Sequence, residues 1–174
     1  MKQAFTSFLI SLAVSLTGLA SSSVWALPED RDRPIQVNAA SMQWLNEQQK
    51  GVYQGEVVAT QGELRLEADR LTLFRGQAGT LSRVLAENEQ GLAYMRDLPE
   101  QDQPQVEAWA ERIDYNPTDE TLILTGQARL VQGEDSFRGH QLTYHLTTQD
   151  LQAKQDQGSE QRIEVILSPQ RTSD

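Results

Sequence analysis

Apolar residues recur at every second position along most of the chain. Ile35, Val37 and Ala39 alternate with Gln36 and Asn38, and Leu64, Leu66 and Ala68 alternate with Arg65 and Glu67. Leu122 and Leu124 stand in the same way against Ile123 and Thr125. A period of two sends one set of side chains to each face of a β-sheet. No segment carries the apolar stripe of an amphipathic helix. After Ala68 the apolar parity moves to Leu71 and Leu73, which predicts a bulge or corner near Asp69 and Arg70. Gln61-Gly62, Gln132-Gly133, Asn116-Pro117-Thr118-Asp119 and the stretch from Asn46 to Gly51 read as turns. Short strands at this spacing predict an all-β sandwich, barrel or jelly roll.

The pattern repeats. Shifted by 71 residues, Ile35 falls on Val106, Val37 on Ala108, Trp44 on Tyr115, Tyr53 on Leu124 and Gly55 on Gly126. Gln61-Gly62-Glu63 meets Gln132-Gly133-Glu134, Leu66 meets Phe137, and Leu71-Thr72-Leu73 meets Leu142-Thr143-Tyr144, all without a gap. Self-similarity of this kind marks a repeated supersecondary unit. The two copies are expected over about 35–75 and 106–146, separated in part by a polar, proline-punctuated loop from Asp97 to Gln105.

Composition narrows the function. Residues 1–26 open on Met1-Lys2, continue apolar or small, and end in Val24-Trp25-Ala26, the form of a cleaved signal peptide. Cleavage after Ala26 would leave 148 residues, a β domain over 27–167 and a polar tail over 168–174. That remainder carries 14 basic and 25 acidic residues, a formal charge of −11, which argues against a nucleic-acid partner. Only about a third of it is apolar, less than a solid core usually needs. The absence of cysteine suits an oxidising periplasm and removes thiolate chemistry. His140 and His145 are the only histidines, and no nucleophile elbow, phosphate loop or dinucleotide fingerprint occurs. The expectation is therefore a non-enzyme, with no catalytic residues, no metal site and no cofactor.

Several short motifs then carry a resemblance. They are Arg33-Pro34-Ile35-Gln36-Val37-Asn38-Ala39 after the leader, Gly55-Glu56-Val57-Val58-Ala59-Thr60-Gln61-Gly62, Leu66-Glu67-Ala68-Asp69, Leu124-Thr125-Gly126-Gln127-Ala128 and Leu142-Thr143-Tyr144. In this order, with the duplication and the leader, the chain from about Arg33 to Pro169 resembles the OstA-like family of lipopolysaccharide-transport periplasmic bridge proteins. The resemblance implies a twisted, open antiparallel β-jelly roll with an apolar interior groove. It implies a head-to-tail homo-oligomer that passes lipopolysaccharide from an inner-membrane export complex to an outer-membrane translocon, with the lipid A acyl chains in the groove. By the family pattern Ile35 and Val37 touch lipid and neighbouring subunits, while Tyr115 and Tyr94 match aromatic lumen positions. The family's partner position two beyond Tyr115 is Pro117 here, a departure from the pattern.

Alternation alone adds Leu64, Leu66, Leu122, Leu124, Phe137, Leu142 and Tyr144 as inward-facing, either packing a core or touching lipid. The last strand, expected from Arg162 to Leu167, has little protection beyond Pro169, so Ile163, Val165 and Ile166 are expected at a subunit interface made by β-augmentation. Two readings of other classes stay open. One is a structural or adaptor β-scaffold of an envelope complex that does not contact lipid. The other is a carbohydrate-binding sandwich, for which Trp44 and Trp109 form no recognisable platform.

Overall fold

Four long strands carry the structure: β3 (Lys50–Gln61), β4 (Leu64–Arg75), β9 (Thr121–Gln132) and β10 (Asp135–His145). The computed structural model describes residues 33–76, 79–98, 103–156 and 162–169. The expected leader and most of the expected tail lie outside those residues. Eight shorter strands complete a sheet of twelve: β1 (Gln36–Asn38), β2 (Ser41–Leu45), β5 (Leu81–Glu87), β6 (Ala93–Asp97), β7 (Val106–Ala110), β8 (Arg112–Asn116), β11 (Leu151–Lys154) and β12 (Glu164–Ile166). A single 3-10 turn at Asn46–Gln48 is the one helical element among the described residues. The chain is all-β and every pairing is antiparallel.

Each long strand bends and so belongs to two sheet arms. In β3, Gly55 and Glu56 are left between the pairs Gln54↔Arg70 and Val57↔Ala68, opposite the single residue Asp69. In β9, Gly126 and Gln127 are left between Thr125↔Gln141 and Ala128↔Gly139, opposite His140. Both bulges put two successive residues at positive φ, +84° and +45° in the first, +78° and +48° in the second. An extra residue on one strand sharpens the twist and reverses the side-chain parity beyond it. This is the corner foreseen at Asp69–Arg70, although the inserted residue sits on the partner strand. On one side of the corners the order is β1-β3-β4-β6-β7-β9-β10-β12. On the other side it is β2-β3-β4-β5-β8-β9-β10-β11.

The two arms face each other across the core. Leu64, Leu66 and Ala68 of β4 are buried, and beyond the corner Leu71 is buried too. From the second copy come Leu122, Leu124, Leu130, Leu142 and Leu146, all fully buried, with Tyr115 and Tyr144 alongside. The opposite faces carry ion pairs, among them Arg83–Asp114, Arg112–Glu87, Arg65–Glu67 and Arg138–Glu164. The last three are exposed and add little to stability, whereas Arg83–Asp114 is part-buried and held by two hydrogen bonds.

Gly55 is needed twice over. Its φ is +84°, and a Cβ built on it would lie 2.7 Å from the Cβ of Ala40, whose N–H donates to the Gly55 carbonyl. Gly91 has a similar φ of +86° with nothing within 4 Å. Gly91→Ala is therefore expected to cost about 1 kcal/mol of backbone strain. Gly55→Ala adds the displacement of Ala40 and is expected to cost about 2–4 kcal/mol. Thermal unfolding of the two variants checks this, and equal losses would contradict the close-approach account.

Candidate functional site

The buried interior does not run unchanged to the ends of the sheet. Around β1 and β2 the inward-facing side chains become half-exposed, because β1 is paired only to β3 and β2 only to β3. Here a cleft of about 580 Å³ opens between the arms. Its apolar wall comes from Ile35, Val37, Trp44, Tyr53, Leu73 and Leu81. Its polar rim comes from Arg33, Gln61, Arg75, Thr80 and Thr118, with Gly79 and Pro117 between them. A narrow apolar recess continues inward past Ile35 to Ala59, Leu64, Leu66 and Val84, with Leu73 and Leu81 shared between the two.

Local geometry holds the rim in place. The Gln61 side-chain amide donates to the Arg33 carbonyl at 3.0 Å, tying the segment before β1 to the end of β3. The Arg75 backbone N–H donates to the Gln49 carbonyl at 2.8 Å, and its guanidinium lies 4.9 Å from the centre of the Trp44 ring. That stacking is worth on the order of 0.5–1 kcal/mol at an exposed site.

The residues singled out from the sequence fall into four places. Ile35 and Val37 line the cleft, and Leu64 and Leu66 line the recess beneath it. Tyr115, Leu122, Leu124, Leu142 and Tyr144 sit in the closed middle of the interior, at 0–1% exposure. Phe137 packs half-buried against the core at the far end, where β10 meets β12. Ile163, Val165 and Ile166 are exposed at that same end, on or beside β12, which spans only Glu164–Ile166 rather than the longer strand expected.

Tyr94 requires a correction. Ala93 and Met95 take the buried positions of β6, so Tyr94 points to the outer face. There its hydroxyl donates to Glu107 at 2.5 Å, its ring lies 5.3 Å from Trp109, and Arg129 sits 4.8 Å above Trp109. The period of two decides the matter: one residue in two along β6 can face inward, and Met95 takes that place. The sequence reading also missed Trp44, Tyr53, Leu73, Leu81 and Arg75 as cleft residues. The 71-residue repeat held the signal, since it aligns Trp44 with the buried Tyr115 and Leu73 with the buried Tyr144.

Large exposed apolar side chains mark the two ends of the sheet. Met42 on β2 is 59% exposed, and Ile163, Val165, Ile166 and Leu167 around β12 are 42–66% exposed. Exposed apolar clusters of this kind signal a binding surface. The strands equivalent to these ends inside the chain are covered. The inward residues of β6 (Ala93, Met95) and β7 (Val106, Ala108, Ala110) are fully buried because β6 and β7 pair with each other.

Comparison with known proteins agrees with this architecture. Residues 36–150 match the family described as LptA/(LptD N-terminal domain) LPS transport protein. The lipopolysaccharide export system protein LptH of Pseudomonas aeruginosa is 31% identical over 158 residues, covering 88% of this chain and 89% of the relative. The lipopolysaccharide export system protein LptA of Escherichia coli K12 is 29% identical over 164 residues, covering 94% and 85%. The crystal structure of LptH, the LptA-homologous periplasmic component of the lipopolysaccharide transport device of P. aeruginosa, superposes with a TM-score of 0.72. It is 30% identical, and the match covers 82% of this chain and all of that one.

Two tyrosines, Tyr144 in the interior and Tyr94 on the outer face, have a titration signature. Burial pushes the Tyr144 phenol up to about 12 against a smaller opposing effect of its hydrogen bond to Gln132. Tyr94 is also pushed up to about 12, first by burial and then by Glu107. Both phenols are held neutral in the fold, and an unfolded tyrosine ionises near pH 10. Their contribution is complete below about pH 10 and is lost as pH rises towards about 12. Melting temperature is expected to fall across that window, and Tyr144→Phe to make the fall shallower. An unchanged slope in that variant would place Tyr144 in water rather than in the core.

Proposed function

The chain belongs to the LptA and LptD N-terminal-domain family of LPS transport proteins, and we propose that it is a periplasmic carrier of lipopolysaccharide working as one segment of a head-to-tail bridge. The inner faces of the two arms form an apolar groove, and the acyl chains of lipid A enter it at the cleft between β1, β2 and Gly79-Thr80. One bridge end would dock on an inner-membrane export complex and the other on an outer-membrane translocon. The periplasmic placement rests on the similarity to LptH, a periplasmic component, and on the signal-peptide form of residues 1–26.

One observation carries this reading. The strands that join the two copies inside the chain have equivalents at its ends that are left open. β6 pairs with β7, and β5 with β8, so both arms run unbroken from the first copy into the second. By the repeat, β12 stands where β6 stands, β11 where β5 stands, β1 where β7 stands and β2 where β8 stands. Joining β12 and β11 of one molecule to β1 and β2 of the next would repeat the internal junction and bury the exposed Ile163, Val165, Ile166, Leu167 and Met42. Main-chain hydrogen bonds would supply the adhesion, as in other strand additions.

Lipid handling follows from the interior. Each buried methylene is worth about 0.8 kcal/mol, so an acyl chain leaves water readily for a wall of Ile35, Val37, Leu73 and Leu81. The cleft is open along one side, which lets a chain slide on to the next segment without a closed pore. The polar outer faces keep the assembled rod soluble.

Photo-crosslinking tests the carrier reading. A photoreactive residue at Ile35, in cells making lipopolysaccharide, is expected to give a lipid adduct, and one at the exposed Glu89 none. Absence of an adduct at Ile35 in an exported, folded protein would favour an adaptor scaffold that joins partners without touching lipid.

A further inference from the structure

We propose that Arg75 at the cleft mouth grips a phosphate group of an acylated, phosphorylated glycolipid whose chains lie against the apolar wall of the cleft. The inference rests on the carrier reading above and names the part of the ligand that the mouth takes.

The inward row of β4 beyond the corner is Leu71, Leu73 and Arg75, passing from buried through half-buried to exposed. Arg75 therefore ends a row whose other members face the lipid-carrying interior. Its counterpart 71 residues on is Leu146, which is fully buried. The same place in the fold thus holds leucine where the interior is closed and arginine where it opens. No carboxylate lines the cleft among the described residues, in a chain of formal net charge −10. On the outer faces Arg129 lies over the Trp109 ring, and Arg65, Arg83, Arg112 and Arg138 each pair with a carboxylate. Arg75 lays its guanidinium on the Trp44 ring.

That placement suits an anion. A guanidinium held over an aromatic ring keeps N–H groups free to donate, and a fork of donors fits phosphate better than a point charge does. Gln61, Thr80 and Thr118 add neutral hydrogen-bonding groups around the same mouth. Beside them, Ile35, Val37, Leu73 and Leu81 offer apolar surface along the cleft wall. A cation beside an apolar wall is complementary to a molecule that carries both phosphate and hydrocarbon, and to neither free phosphate nor a neutral lipid.

The test measures displacement of a bound fluorescent acyl probe from the purified protein by lipid A with its phosphates, and by the same lipid A stripped of them. The expected result is a preference of roughly tenfold for the phosphorylated form, shrinking as salt is added. Arg75→Gln should reduce that preference to near unity, the loss falling mainly on the phosphorylated form. Arg75→Lys should keep part of it. An undiminished preference in Arg75→Gln, or no preference in the unaltered protein, would overturn the proposal and leave the carrier reading standing. If neither lipid displaces the probe, the carrier reading falls and the proposal with it. If Arg75→Gln alters only self-association in sedimentation, a carboxylate of a second copy is the occupant and the proposal is also overturned.

Discussion

The pairing of β6 with β7, and of β5 with β8, is the constraint on which the molecule depends. Each copy of the repeat supplies two long strands and short strands on either side. A single copy would leave its short strands open on one side. Pairing across the junction covers the inward residues of β6 and β7 and turns two half-open units into two continuous arms. The same pairing cannot be satisfied at the ends of the chain. β1 and β12 are therefore left with the exposure that β7 and β6 have lost, and the open ends follow from the repeat itself.

The bulges convert that continuity into an interior. Gly55-Glu56 and Gly126-Gln127 each insert one residue, bend a pair of long strands and reverse their parity. Apolar side chains on both sides of the bend then face the same space. In the middle that space is filled by Leu122, Leu124, Leu142, Tyr115 and Tyr144. At the β1 end it is filled less completely, since Val37, Tyr53, Leu73 and Leu81 pack against the core with part of their surface still exposed. One architecture thus provides a closed middle and a cleft at the β1 end.

Much of this was legible in the sequence. The period of two gave the all-β class, the shift of 71 residues gave the paired strand sets, and the parity change after Ala68 located the corner. Which inward positions pack and which stay open was not legible, because alternation assigns a face and says nothing of what covers it. Leu66 and Leu124 follow the same rule, yet only Leu66 reaches the recess. The family pattern puts Tyr94 in the lumen, but its phase on β6, between the buried Ala93 and Met95, turns it to the outer face. Arg75 reads in the sequence as a solvated charge at a strand end, and only its row on β4 and its buried counterpart Leu146 mark it as a cleft residue.

The central claim is that each molecule continues the sheet of the next in the way its own halves are joined. Met95 pairs with Ala108 at the internal junction, and their counterparts at the free ends are Val165 and Val37. The chain has no cysteine, so an introduced pair reports without interference. Val37→Cys and Val165→Cys in one chain, oxidised after purification, are expected to give a ladder of linked chains, because partners across an antiparallel pair lie within disulfide reach. Val165→Cys alone should link poorly. A double variant that stays monomeric under oxidation, or a Val165→Cys single variant that forms dimers as readily, would contradict head-to-tail continuity.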